Sequence, residues 1–288
     1  MRRVVPLDNR RAQAFDRRTV MDHAPHEPLP FATTTAWPDH PDTLRRVATR
    51  HGHVLIRDLV PTAALTPVRE LAQQHLHALG LLERPSALTW APGARLQGTG
   101  YDDPRWTAFQ QSIMQEEAAL ALAAHPALLA VMRTIYEGPP LPHRGSLCRL
   151  GTPQAPELTT PPHQDHHYVG GSLDIWTAWL PLTPCPLSLG PLVVCDGSHR
   201  GGYLPHSGEG AGRQQVNLRG AMDWRSQAVT PGDVVFFHCL TVHAALPNTS
   251  PNTLRLSMDV RFQPEDQPVT TRRVDGSEAG PQDPVASG

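Results

Sequence analysis

The feature that most constrains the fold is a change of period near Gly145. From there to Phe262 the chain breaks into short apolar and β-branched runs separated by Gly and Pro, the pattern of an all-β region. Expected strands are Leu147 to Leu150, Leu173 to Leu182, Leu192 to Cys195, Val234 to His238 and Leu254 to Phe262, with Pro231-Gly232-Asp233 as a turn. Upstream, apolar residues recur at helical spacing. Leu44 and Val47 open a segment that ends at Gly52, and Leu65, Val68, Ala72, Leu76 and Leu79 mark a longer one. Val54 to Ile56 separates them as a strand. Ser112 followed by Gln115 has capping-box spacing for a helix to about Ala123, and Pro126 opens another that closes at Gly138. Helices first and strands later predict an α+β chain, with a helical layer packed on a sandwich or barrel.

A chain of 288 residues suffices for one sizeable domain. The expected division is a flexible arm over residues 1–30, a single domain over 31–263 with its β core at about 145–263, and a flexible tail over 264–288. A net charge of −2 removes the electrostatic case for nucleic acid, and no apolar run is read as approaching the ~18 residues of a membrane span. A small-molecule substrate is therefore expected, with neither nucleic acid nor membrane as partner; oligomeric state is not legible. Cys148, Cys185, Cys195 and Cys239 form no CxxC pair and read as buried, reduced thiols. The N-terminus, MRRVVPLDNRRAQAFDRR, lacks an apolar h-region, so the expected location is cytoplasmic.

Within the β region lies His163-Gln164-Asp165. Residues two apart on an extended strand project from one face, so an imidazole and a carboxylate can reach one ion. A 2-His-1-carboxylate face holds Fe(II) while leaving positions open for other ligands, and it needs one more His. A second H-x-D, His40-Pro41-Asp42, precedes a helical segment, where Asp42 reads as a helix N-cap.

From Leu254 to Phe262 the alternation is strict: Leu254, Leu256, Met258, Val260 and Phe262 share one face, and Arg255, Ser257, Asp259 and Arg261 the other. One reading puts the polar face in water. The other puts it inside a barrel, where Arg255 offers a planar fork to a carboxylate and Ser257 adds a hydroxyl. Periodicity leaves both open.

Taken together, these residues resemble the phytanoyl-CoA dioxygenase-like branch of the iron(II)/2-oxoglutarate oxygenases. The resemblance runs from about Gly52 to Phe262. It rests on HQDHHYVGGS, on GPLVVCDGSHR, on PGDVVFFH, and on HAALPN followed by LRLS, in which Arg255 stands twelve residues after His243. It implies a double-stranded β-helix, Fe(II) held by His163, Asp165 and His243, 2-oxoglutarate and O2 as co-substrates, and Arg255 on the far carboxylate of 2-oxoglutarate. Some members place a hydroxyl two residues after the distal His. This chain has Ala245 there, and Ser257 is the candidate substitute. Members also carry a Lys on the strand before the His-x-Asp turn, for which Arg149 is the matching cation. The implied activity is hydroxylation of a small molecule with release of succinate and CO2. The alternatives are a cupin-like metalloenzyme that does not use 2-oxoglutarate, for which Arg255 has no required role, and a non-catalytic binding module.

Other residues carry weaker signals. Trp176 and Trp179 stand three apart on a strand, so one packs in the core and the other faces a pocket, in an order the sequence leaves open. Gln110 and Gln111 read as solvated, with a place in the pocket as the alternative. The stretch Gly197 to Arg225 exceeds an ordinary connection and is Gly-rich, which reads either as a lid over the pocket or as a disordered excursion.

Overall fold

A computed structural model describes residues 28–35, 37–97, 102–143, 146–208, 214–218 and 222–269. Most of the expected arm and tail, residues 1–27 and 270–288, lie outside the described residues. The edges that are described belong to the fold. Leu29 donates its N–H to Trp224 O (3.2 Å) and accepts from Ser226 N (2.9 Å), while the last strand continues to Pro264.

Helix α1 (Pro41–His51) begins with proline at its first turn and ends at Gly52, whose φ of 70° is the left-handed C-cap that glycine adopts without cost. Its N-cap is His40 rather than Asp42, which sits in the first turn and pairs with Arg45. Strand β1 (His53–Ile56) follows at once, then α2 (Thr62–Ala78). The expected helix start at Ser112 is wrong. Helix α3 (Pro104–Gln115) starts at Asp103, whose side chain accepts from Arg105 N, and Ser112 lies inside it with its hydroxyl donating to Ala108 O (2.8 Å). Two short helices, α4 (Glu117–Ala123) and α5 (Pro126–Tyr136), complete the helical layer. Their combined span, Glu117–Tyr136, has the length and apolarity of a membrane-crossing segment, contrary to expectation. In the fold it divides at Pro126, and Leu122, Leu128 and Val131 are buried in the protein core.

The remaining elements are β2 (Pro140–Pro142), β3 (Leu147–Gly151), the single-turn α6 (Asp165–Val169), β4 (Trp176–Pro181), β5 (Leu192–Cys195), β6 (His206–Ser207), β7 (Gln215–Val216), β8 (Trp224–Arg225), β9 (Val234–His238), β10 (His243–Ala245) and β11 (Arg255–Pro264). β4 starts later than expected because Ser172 Oγ accepts from Asp174 N (2.9 Å), closing a turn where extension was anticipated. The large antiparallel sheet runs β1-β9-β4-β11-β2, with β3 also on β11; a smaller sheet runs β10-β5-β8, and β6 pairs β7.

Strand parity decides what each face meets. Leu256, Met258, Val260 and Phe262 of β11, Ala178 and Leu180 of β4, and Val234 and Phe236 of β9 point at the helices, forming the main core. Each fully buried side chain of this kind contributes roughly 1.5–3 kcal/mol. The opposite parity, with Trp179, Val235 and Phe237, meets Leu192 and Val194 of the small sheet, so the two sheets close on one another. Between them lies the polar row of β11: Arg255, Ser257, Asp259 and Arg261 are all buried. The solvated reading of that face is thereby excluded.

Candidate metal centre

His163 and β10 are joined by a pair of reciprocal backbone bonds: His163 N donates to His243 O and His243 N to His163 O, both at 2.9 Å. This puts the two imidazoles side by side, with centroids 4.1 Å apart. Each ring is locked by its own backbone. Nδ1 of His163 lies 2.8 Å from Pro161 O, and Nδ1 of His243 lies 3.0 Å from Thr241 O. A carbonyl only accepts, so both Nδ1 atoms carry the proton and both Nε2 atoms keep a lone pair. Burial pushes His243 down to about 3, so its neutral form persists.

Asp165 opens α6 instead of continuing a strand. Gln164 before it is extended (φ −113°, ψ 130°), so the carboxylate still shares a side with His163. Asp165 Oδ1 stands 3.7 Å from Nε2 of each histidine, and the three donor atoms lie within 4.8 Å of one another. Thr177 Oγ1 donates to the other oxygen, Oδ2 (2.6 Å), as does Arg261 Nε (3.1 Å), while Arg261 Nη2 reaches Oδ1 (3.2 Å). Burial opposes ionisation of Asp165, but the Arg261 guanidinium beside it leads the contributions that outweigh burial and hold the carboxyl well below the usual carboxylate range. Two neutral imidazole nitrogens and a fixed carboxylate, all buried, fit a divalent iron.

No local pattern in the chain points to Arg261 in this role. Its register partner on β4 is Thr177, so adjacent strands present both groups to Asp165. Gln164 works from the other side: its Nε2 donates to Leu240 O (2.7 Å) and Gly202 O (2.9 Å), and its Oε1 accepts from Leu204 N (2.8 Å). The stretch anticipated as a lid or a disordered excursion is thus bolted, in its described parts, to the segment bearing His163 and Asp165. His206 Nε2 accepts from Gln164 N (3.0 Å), Val216 N donates to Pro162 O (2.9 Å), and Tyr203 meets His167 (2.9 Å). None of its described residues lines the cavity.

That cavity contains His163, His243, Arg255, Arg149, Asp259 and Ala245. Of the two tryptophans, Trp179 lines it and Trp176 packs toward the helices. Arg255 donates from Nη1 to Ser257 Oγ (2.8 Å) and from Nη2 to Gly190 O (3.1 Å), and its buried Nε has no hydrogen-bond partner. Ser257 therefore supplies a hydroxyl beside this guanidinium, where Ala245 has none. Burial disfavours the charge on Arg255, a cost that a bound anion relieves. Space for the guanidinium comes from Gly151 opposite: a Cβ there would stand 2.9 Å from Arg255 Nε and 3.2 Å from Cζ. Arg149 Nε donates to Asp259 Oδ2 (2.7 Å). Gln110, expected in solvent, is buried, and its amide clasps the backbone of Cys148 on β3 (2.5 and 3.2 Å). All four cysteines are buried free thiols, as expected.

Residues 48–256 match the family described as Phytanoyl-CoA dioxygenase (PhyH). The chain is 30% identical over 251 residues to a 1-deoxypentalenic acid 11-beta-hydroxylase of Streptomyces arenae, covering 81% of this chain and 85% of that one. It is 24% identical over 222 residues to a probable phytanoyl-CoA dioxygenase of Caenorhabditis elegans, covering 71% and 69%. Among solved structures, it resembles the non-heme alpha ketoglutarate dependent epimerase SnoN from nogalamycin biosynthesis, with a TM-score of 0.58, 19% identity and coverage of 86% and 95%. It also resembles the apo form of the non-heme monooxygenase ThoJ, with a TM-score of 0.59, 19% identity and coverage of 83% and 85%. The architecture is the double-stranded β-helix that the motifs implied. On the family match and the hydroxylase relative, the chain belongs to the phytanoyl-CoA dioxygenase family of non-haem iron, 2-oxoglutarate-dependent dioxygenases.

Proposed function

We propose that Nε2 of His163, Oδ1 of Asp165 and Nε2 of His243 hold the iron, and that Arg255, with Ser257, receives the distal carboxylate of 2-oxoglutarate. The observation that carries this reading is the convergence of three donor atoms within 4.8 Å, each fixed by a separate hydrogen bond. When bound, iron and the 2-oxo acid supply the oxidation of a C–H bond, with release of succinate and CO2. The chain supplies position and dryness: Thr177 and Arg261 orient the carboxylate, Pro161 and Thr241 orient the imidazoles, and Trp179 and Phe237 wall the cavity against water. With a carboxylate at Asp165, the chain itself fills the place that a halide would need, so the expected product is hydroxylated and not halogenated.

The substrate class we favour is a small carboxylic acid. The hydroxylase relative is named for one, and the cavity joins apolar residues such as Leu158, Leu192 and Leu246 to the half-buried Arg149. The reducing environment implied by four free thiols supports a cytoplasmic location. Anaerobic titration with Fe(II) and 2-oxoglutarate, then succinate release across a panel of small carboxylic acids, tests the reading. His163→Ala, Asp165→Ala and His243→Ala each remove iron binding and turnover with the fold retained. Full iron affinity in His243→Ala refutes the site.

A further inference from the structure

The inward row of β11 places Arg255, Ser257, Asp259 and Arg261 two residues apart. Arg255 and Ser257 form the carboxylate receptor, and Arg261 grips Asp165. Asp259 does neither. It is a buried anion between the two, and it lines the same cavity as Arg255, His163 and His243. The co-substrate assigned to that cavity is a dianion. A fixed carboxylate there opposes its binding: at an effective dielectric of ~40 and a separation of ~12 Å, each unit charge is repelled by about threefold in affinity and a dianion by about tenfold.

Holding Arg149 in place does not explain the choice of residue. Only Oδ2 of Asp259 is used, accepting from Arg149 Nε at 2.7 Å, and the buried Oδ1 has no hydrogen-bond partner. One acceptor oxygen is all that this contact employs, and an asparagine amide offers one without charge. What a carboxylate adds is the negative charge, which offsets Arg149 inside the pocket. Arg149 and Asp259 both line the cavity that Arg255, His163 and His243 line, so the pair faces the space assigned to the co-substrate.

Resting on the reading that this cavity takes 2-oxoglutarate, we infer that Asp259 is a positioning residue that neutralises Arg149 and loosens the pocket's hold on dicarboxylates. Both the co-substrate and the succinate derived from it are then bound weakly enough to exchange. A pocket that lacks the Asp259 charge retains the succinate dianion longer, and the next turnover waits on its release.

The test is ligand binding by the full chain loaded with Co(II), under anaerobic conditions and at saturating metal. Asp259→Asn is expected to bind 2-oxoglutarate and succinate about tenfold more tightly than the unaltered chain, and the monoanion pyruvate only two- to threefold more tightly. Ligand-free Asp259→Asn melts at a lower temperature, because Arg149 loses this anion, and 2-oxoglutarate raises its Tm by more than it raises that of the unaltered chain. Unchanged or weaker 2-oxoglutarate binding by a cooperatively melting Asp259→Asn overturns the inference. A second comparison does not depend on that variant folding. Arg149→Gln, which strands Asp259 in the pocket, weakens 2-oxoglutarate binding more than Arg149→Gln/Asp259→Asn does, and equal affinities of the two overturn it. If the unaltered, metal-loaded chain binds no 2-oxoglutarate, it is the reading of the cavity that fails.

Discussion

Substituting Gly151 by alanine tests whether the place of the Arg255 guanidinium sets the co-substrate requirement. Gly151 faces Arg255 across the β3–β11 ladder, and its own carbonyl is held by Asn248 Nδ2 (2.7 Å). The added Cβ meets Nε at 2.9 Å, Cβ at 3.1 Å and Cζ at 3.2 Å of Arg255, so reaching ordinary contact displaces the guanidinium by about half an ångström. Gly151 has no left-handed φ, so the substitution acts through space alone. Overpacking of this kind costs roughly 1–3 kcal/mol of stability. The larger functional effect comes from misaligning the fork against a carboxylate, which should raise the Kd for 2-oxoglutarate about tenfold, or ~1.4 kcal/mol. Fe(II) affinity should stay constant, because His163, Asp165 and His243 are held by bonds that do not involve Gly151. The assay is anaerobic titration of 2-oxoglutarate into iron-loaded protein, with iron affinity measured separately. A variant that is destabilised as expected yet binds 2-oxoglutarate normally removes Arg255 as the receptor.

Two further outcomes follow from hydrogen bonds around the candidate ligands and from the buried histidines. Arg261→Leu frees one side of Asp165 and should weaken metal binding about tenfold, with Arg261→Lys recovering part of the loss; Thr177→Val should produce a smaller loss, since Arg261 still holds Oδ2, and isothermal titration with Co(II) ranks the three. Burial pushes His53 and His238 down to about 4, so the unfolded chain takes up their protons first. Their contribution to stability is therefore complete above the unfolded value near 6.5 and is lost progressively as pH falls toward 4. Urea midpoints of the metal-free protein should drop across that window, and a flat profile contradicts the buried neutral state of these rings.

Much of the site was legible because its residues sit on strands whose parity is visible in the chain. Alternation from Leu254 to Phe262 identifies the two faces of β11, yet it cannot tell the inside from the outside, because the small sheet that covers the polar face is assembled from the separate segments β5, β8 and β10. β10 itself was not read as a strand, since three residues give no period to count. Arg261 shares a face with Arg255, but its partner Asp165 lies 96 residues away, and no local pattern records such a contact. Ser112 misled for a different reason: a hydroxyl inside a helix can bond back to the carbonyl four residues earlier, so a capping-box spacing occurs without a cap. The spacing of Trp176 and Trp179 puts them on opposite faces, and only the closing of the sheets decides which faces the cavity.

The same parity explains why so charged a strand pairs in one register. A one-residue slip of β11 exchanges its faces, carrying Arg255, Ser257, Asp259 and Arg261 into the helix-side core and Leu256, Met258, Val260 and Phe262 into the cavity. Both consequences oppose the slip. The apolar side loses burial worth roughly 1.5–3 kcal/mol for each of four residues. The polar side fares worse, because two guanidiniums and a carboxylate would meet Leu65, Phe109 and Val131, where no described partner replaces Asp165, Arg149 or Gly190 O. In the observed register every one of those charges has a polar contact, and only Arg255 Nε and Asp259 Oδ1 are left without one. Residues that serve the chemistry thus also specify the pairing of the strand that carries them. Replacing both Arg255 and Arg261 by leucine should weaken that specification as well as co-substrate and metal binding. Hydrogen exchange along β11 should then rise more than the change in global stability accounts for.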